Sequence, residues 1–220
     1  EEAFHRAFQF QEFDISELSL SSHTLMTARG QNAYVGIPAF VSRLFRHSSI
    51  YIRTDRAISQ PADLRGKTIL DIGCGLGHYY EFLRSLDIPF QYVGYDIVPA
   101  FIESNRQRYP DVHFELRDVT RDGIAHAADF VVLCEVFNNR FTDDSNMDVA
   151  RQVLRASFAA AREAVSMDML STYVDYQTPN AFHFSPEEMF AFAKTLTPFV
   201  RLRHDYLPFH FTLFLFKEAQ

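Results

Sequence analysis

The residues best suited to chemistry lie in one stretch, Ile69-Leu70-Asp71-Ile72-Gly73-Cys74-Gly75-Leu76-Gly77. It reads as an apolar run, a glycine-rich turn and the start of a helix. Glycines carry no Cβ, so a ligand can come close to the main chain there. No Lys-Ser/Thr follows this glycine turn, and the Gly66-Lys67-Thr68 triplet lies before the apolar run without the leading glycine of G-x-x-x-x-G-K-S/T, which excludes a P-loop. The dinucleotide fingerprint G-x-G-x-x-G fails as well, because its third glycine position, counted from Gly73, is His78. Asp71 precedes the first glycine from inside the apolar run. A carboxylate there repels a pyrophosphate but suits a ligand bearing an ammonium and a sulfonium, the charge pattern of S-adenosylmethionine. Asp96 ends the next apolar run and can accept both hydroxyls of a ribose. Asp118 follows a third run, where it is placed to meet an adenine amino group while Val119 offers its amide. Three acids thus end three successive strands beside one glycine turn.

The elements that must position these residues alternate after the Pro61–Gly66 stretch, as an α/β sheet requires. The pattern predicts strands at 68–72, 91–97, 112–116, 129–134, 164–172, 200–206 and 210–216. Helices are expected at 76–86, from Pro99 to Arg108, at 149–161 with Val149, Val153, Ala156 and Ala160 on one face, and from Ser185 onward. Ser185 and Glu188 read as a capping box, and Pro99 as a first-turn proline. The fourth strand is uniformly apolar and therefore central. The last two strands are joined by a turn at Pro208 too short for a crossover, so that pair must be antiparallel. Residues 137–147 and 173–184 are loops. The fold expected is a Rossmann-like α/β sheet of seven strands, mostly parallel, with an antiparallel C-terminal strand and an N-terminal helical lid. Residues 1–65 would form that lid or substrate cap, and residues 66–220 the ligand-binding domain.

Residues 66–135 resemble the class I S-adenosylmethionine-dependent methyltransferases. Asp71 to Gly77 matches their first motif in full, Asp96 falls at their ribose-binding acid, Asp118-Val119 at their adenine motif, and Cys134-Glu135-Val136 at their fourth-strand motif. The segments 170–175 and 183–186 and the two closing strands look similar to a bacterial subgroup of small methyltransferases. The resemblance implies S-adenosylmethionine as cofactor, held by Asp71, Gly73, Cys74, Gly75, Asp96, Ile97, Asp118, Val119 and Glu135. From the lid, Tyr34 and Arg29 are candidates to face the cofactor. Arg29 could pair with the methionine carboxylate, although a solvated arginine is the commoner state.

Methyl transfer needs a general base only when the acceptor is a hydroxyl or a protonated amine. Such a base belongs in the loops that follow strands, at the carboxyl edge of an open sheet. Asn138 and Asn139 follow the fourth strand; Tyr173, Asp175 and His183 follow the fifth. His183 and Tyr173 are the catalytic candidates, His183 as base, with a loop-bracing histidine as the bland alternative. His210, which begins the last strand, reads as structural. Cys74 and Cys134 end neighbouring strands without a Cys-x-x-Cys partner or a clustered histidine, so neither a metal nor a catalytic role is expected of them. Asp143 and Asp144 could suggest a Mg²⁺ site, but no third ligand is spaced for it. The sequence points to no metal.

The overall composition narrows the acceptor. The net charge is −7 and no run of Lys or Arg stands out, whereas a protein that tracks phosphates carries a basic stripe. The 137–147 loop also lacks the Asn-Pro-Pro-Tyr-type motif of enzymes that methylate amino groups of nucleic acids. No apolar stretch approaches the ~20 residues needed to cross a bilayer, and two cysteines imply no disulfide framework. A cytoplasmic monomer or homodimer is expected. With 23 Phe and 10 Tyr the chain has rings enough for both a core and an enclosed pocket. The acceptor is expected to be a small molecule (a sugar, a natural-product intermediate or a similar metabolite) methylated on oxygen or nitrogen. The competing readings are a non-catalytic S-adenosylmethionine-binding module and a nucleotide-dependent oxidoreductase.

Overall fold

The computed structural model describes residues 64–219 with the exceptions of 144 and 208. The proposed lid, with Arg29 and Tyr34, lies outside the described residues, as do Asp144 and Pro208.

Seven strands form one sheet: β1 (Thr68–Ile72), β2 (Gln91–Asp96), β3 (His113–Leu116), β4 (Ala128–Cys134), β5 (Ala161–Leu170), β6 (Val200–Leu207) and β7 (His210–Phe216). Their spatial order is β3-β2-β1-β4-β5-β7-β6. The first five pair in parallel, whereas β7 runs antiparallel between β5 and β6. This is the seven-stranded, Rossmann-like arrangement expected from the sequence. The chain leaves β1 toward β2 on one side and reaches β4 on the other. The sheet therefore reverses direction between β1 and β4, and a crevice opens outside their carboxyl ends.

Five helices among the described residues connect the strands: α1 (His78–Ser85), α2 (Pro99–Arg108), the single turn α3 (Val119–Asp122), α4 (Asn146–Ala160) and α5 (Pro186–Leu196). The sequence pattern did not show α3. Four residues carry too little periodicity to register, and what makes the turn is local: Asp118 Oδ1 caps it by accepting the Thr120 amide at 3.0 Å. Ser185 caps α5 as expected, its Oγ accepting the Glu188 amide at 3.2 Å. The Glu188 carboxylate meets Arg151 at 3.5 Å.

Alternation along β1 divides the core in two. Leu70 and Ile72 face a layer built with Val119 of α3, Ala150, Val153 and Leu154 of α4, and Met189 of α5. Ile69 faces the opposite layer, with Leu83 of α1, Ile102 of α2 and Tyr92 of β2. On α4 the buried stripe runs through Ala150, Val153, Leu154 and Ser157, about one position round from the stripe expected. Ser157 is fully buried within that stripe although it is polar.

Candidate functional site

The glycine turn is held from both sides. The amides of Gly73 and Cys74 donate to the Tyr95 carbonyl at 2.8 and 2.9 Å, which seats the turn against β2. Gly75 donates its amide to Asp96 Oδ2 at 2.8 Å, and Asn105 Nδ2 of α2 donates to the Gly75 carbonyl at 2.7 Å. Gly73, Gly75 and Gly77 all take positive φ, the left-handed region that favours glycine. Their reasons differ. A Cβ on Gly73 would lie 2.7 Å from Val136 Cγ2, so this glycine allows the β4 loop to close on the turn. Among the described residues, a Cβ on Gly75 would meet nothing within 4 Å. Gly75 faces open space over the crevice, as a ligand cradle requires.

Asp96 is buried, 8% exposed, and both of its oxygens are engaged: Oδ2 by Gly75 and Oδ1 by the Val98 amide at 2.9 Å. Each carboxylate oxygen can accept twice, so this fixed group retains capacity for two ribose hydroxyls. Beside it Ile97 is 69% exposed and Leu116 49%, with Leu76 and Phe101 also open. Apolar side chains left in water around an acid at strand tips suit an adenine ring. Asp118 is half committed, since its Oδ1 takes both the amide and the hydroxyl of Thr120. Val119 is buried in the core. Together these features fit a nucleoside bearing a free ribose.

Asp71 is placed differently from its neighbours. It is buried at 3% exposure, and its Oδ2 accepts from the Tyr92 hydroxyl. Burial first, with the nearby Asp96 adding to it, pushes its pKa up to about 7 against the pull of Tyr92. The carboxylate backs the turn from inside the sheet. Burial also pushes the Cys74 thiol up, so it is no thiolate nucleophile.

The candidate catalytic residues part company. The Tyr173 hydroxyl donates to Glu187 in the first turn of α5, and this contact raises its pKa. Tyr173 is 59% exposed. His183 is buried in the β5–α5 loop. That loop folds back on the strand end: the Phe184 amide donates to the Leu170 carbonyl at 2.8 Å and Phe182 to the Asn138 carbonyl at 2.9 Å. Asn138 Oδ1 in turn accepts the Leu170 amide at 3.0 Å, so Asn138 laces the two loops together.

A second group of polar residues gathers at the same sheet edge. Glu135, directly after β4, adopts φ +56°, rare for a residue with a side chain. Its Oε1 lies 3.5 Å from His210 Nδ1, and Asp168 Oδ1 lies 3.4 Å from the same nitrogen. Asp168 is buried, and its Oδ2 takes the Tyr206 hydroxyl and lies 3.3 Å from Thr212 Oγ1. Sequence reasoning assigned Glu135 to the cofactor, read His210 as structural and gave Asp168 no role. A polar residue within an otherwise apolar strand, as Asp168 is, was the available signal.

Residues 70–161 match the family model described as "Methyltransferase domain". The fold is shared with solved methyltransferases. Magnesium protoporphyrin IX methyltransferase of Synechocystis, with bound S-adenosylhomocysteine, aligns over 70% of this chain and 75% of its own at a TM-score of 0.55 and 12% identity. A TehB-like S-adenosylmethionine-dependent methyltransferase of Corynebacterium glutamicum aligns over 90% of this chain and 95% of its own, at a TM-score of 0.54 and 15% identity. A different likeness covers 69 residues, 56% identical to the 4,5-dihydroxyphthalate decarboxylase of Comamonas testosteroni. That alignment takes in 31% of this chain and spans about one fifth, 21%, of the decarboxylase.

Proposed function

We propose that this chain, whose residues 70–161 are a methyltransferase domain on the class I, S-adenosylmethionine-dependent fold, moves the methyl group of S-adenosylmethionine to an oxygen or nitrogen of a small molecule. The observation that carries this reading is the clamp between Asp96 and the Gly75 amide, 2.8 Å long, over a glycine whose open side faces the crevice. When bound, S-adenosylmethionine supplies a methyl group on a positively charged sulfur with a good leaving group already attached.

The protein then has little covalent work to do. Its contribution is to hold an acceptor atom about 3–3.5 Å from that carbon and in line with the breaking bond. Asp96 fixes the ribose, the turn from Gly73 to Gly77 allows close approach to the backbone, and the laced loops after β4 and β5 supply rigid walls. An acceptor hydroxyl must also lose a proton, and His183 and Tyr173 remain the candidates for that task. Burial of His183 favours an acceptor that reaches into the β5–α5 loop. The net charge of −7 favours a small metabolite over a nucleic acid.

The N-terminal segment admits a second reading. Residues 70–161 match the methyltransferase model, and the decarboxylase likeness covers 69 residues, 31% of the chain. A stretch of that length outside the matched domain fits only before residue 70, which would make the N-terminal segment one of decarboxylase ancestry in place of a cap shaped for the acceptor.

Calorimetric titration with S-adenosylhomocysteine and with NAD separates the main readings. Saturable binding of the first and none of the second is expected, for the full chain and for a chain beginning at Leu64. Binding of NAD alone removes the proposal. Binding lost in the shortened but folded chain restores the cap. A mass-spectrometric search of a metabolite mixture for products gaining one methyl group separates an enzyme from a binding module.

A further inference from the structure

We propose that Glu135, Asp168 and His210 form a binding site for a divalent transition metal of the zinc class, at the carboxyl edge of the sheet beside the glycine turn. Three ligating atoms, Glu135 Oε1, Asp168 Oδ1 and His210 Nδ1, lie within 4.8 Å of one another. The two distances to the imidazole nitrogen are 3.4 and 3.5 Å. They are long for an ion pair, since charge-assisted N–H···O bonds close to about 2.7–2.9 Å. They match the edge of a tetrahedron around zinc: bonds of about 2.0–2.2 Å place neighbouring ligands about 3.3–3.5 Å apart. An octahedral Mg²⁺, with bonds of about 2.0–2.1 Å, needs edges of only about 2.9 Å and prefers oxygen over imidazole.

The surroundings suit ligation. Asp168 is 4% exposed, and its second oxygen is taken up by Tyr206 and Thr212, which orients Oδ1 toward His210. Outer hydrogen bonds of this kind fix the ligands of metal sites. Tyr206 and Thr212 themselves lie 2.6 Å apart, so the carboxylate is braced by a connected pair. Glu135 takes its positive φ where the chain leaves β4, at the point where its side chain meets Asp168 of β5 and His210 of β7. Among the described residues the other cluster of this kind, His113, Glu115 and His126, is more exposed.

Val136, next to Glu135, is the residue that closes on Gly73. The metal would therefore border the crevice and leave a coordination position for an anionic oxygen, nitrogen or sulfur of the acceptor. That role rests on the methyl-transfer reading; binding of the ion does not.

The test uses the full chain, stripped with a chelator and titrated with zinc alone and with magnesium alone by calorimetry. One equivalent of zinc at micromolar affinity or tighter, with no magnesium uptake at the same concentrations, is the expected result. Asp168→Asn and His210→Gln should each weaken that binding more than a hundredfold. Tyr206→Phe, which spares all three ligands, should weaken it about 10–100-fold. Each variant should bind S-adenosylhomocysteine as the parent does, which shows that it has folded. Zinc uptake that is absent, or equal in parent and variants, overturns the proposal. Zinc binding without S-adenosylhomocysteine binding upholds the site and removes the methyl-transfer reading instead.

Discussion

Replacing Asp96 by asparagine isolates the charge on which the proposed cofactor binding rests. In the parent, Asp96 accepts the Gly75 and Val98 amides at 2.8 and 2.9 Å and is 8% exposed. Asparagine keeps one acceptor oxygen and turns an NH₂ toward the other amide. One buried amide is orphaned, at a cost of about 1–3 kcal/mol. For a domain of this size that lowers Tm by roughly 2–12 °C. Binding suffers separately. Hydrogen bonds to a charged group are worth about 1.5–3 kcal/mol against about 1 for neutral ones. Two ribose bonds that lose their charge assistance therefore cost about 1–3 kcal/mol, or about 10–100-fold in Kd. Calorimetry with S-adenosylhomocysteine, run well below the variant's Tm, reads this directly. An affinity within twofold of the parent together with a lowered Tm would mean that the carboxylate serves only the turn, and the placement of the ribose would be refuted.

The two turn glycines should respond in opposite ways. Gly73→Ala drives a Cβ to 2.7 Å from Val136 at φ +77° and should cost about 2–4 kcal/mol, seen as a large fall in Tm. Gly75→Ala adds a Cβ with nothing within 4 Å among the described residues and carries only the strain of φ +53°, about 1–2 kcal/mol, so it should cost less stability than Gly73→Ala yet weaken S-adenosylhomocysteine binding at least tenfold; the reverse ranking places the ligand elsewhere. Asp71 gives a pH signature. Its pKa is about 7 in the folded chain, above the ordinary 3.8, so the native state holds the proton over a range where the unfolded chain has released it. This group's contribution to stability therefore falls as pH rises from about 4 to about 7 and is flat above that. Asp71→Asn keeps an acceptor for Tyr92 and should remove that slope, so thermal melts at pH 5 and pH 8 differ less than in the parent; parallel profiles would show that Asp71 is ionised throughout.

The elements that carry the proposed cofactor residues were legible in the residue order. The turn Gly73–Gly77 and the acids Asp71, Asp96 and Asp118 lie in or immediately beyond strands β1, β2 and β3, whose apolar runs are short, uninterrupted and bounded by turn residues. Motif and element coincide there within a few positions, so local pattern suffices. What α3 hid was a single turn, held by the Asp118 cap and too short to show a period. The stripe on α4 moved by about one position because tertiary packing, and not the helical period alone, decides which face is buried.

The residue order also required the closing strands to be antiparallel, because a turn of so few residues permits nothing else. It could not say that β7 would slide between β5 and β6. That placement is a matter of long-range pairing, with Asp168 facing Thr212 across the β5–β7 ladder. It alone brings His210 to the carboxyl edge beside Glu135, three residues drawn from segments 33 and 42 positions apart. Local chemistry is written in neighbours along the chain. A cluster built across three strands exists only once backbone hydrogen bonds have fixed which strands lie side by side, and in what register.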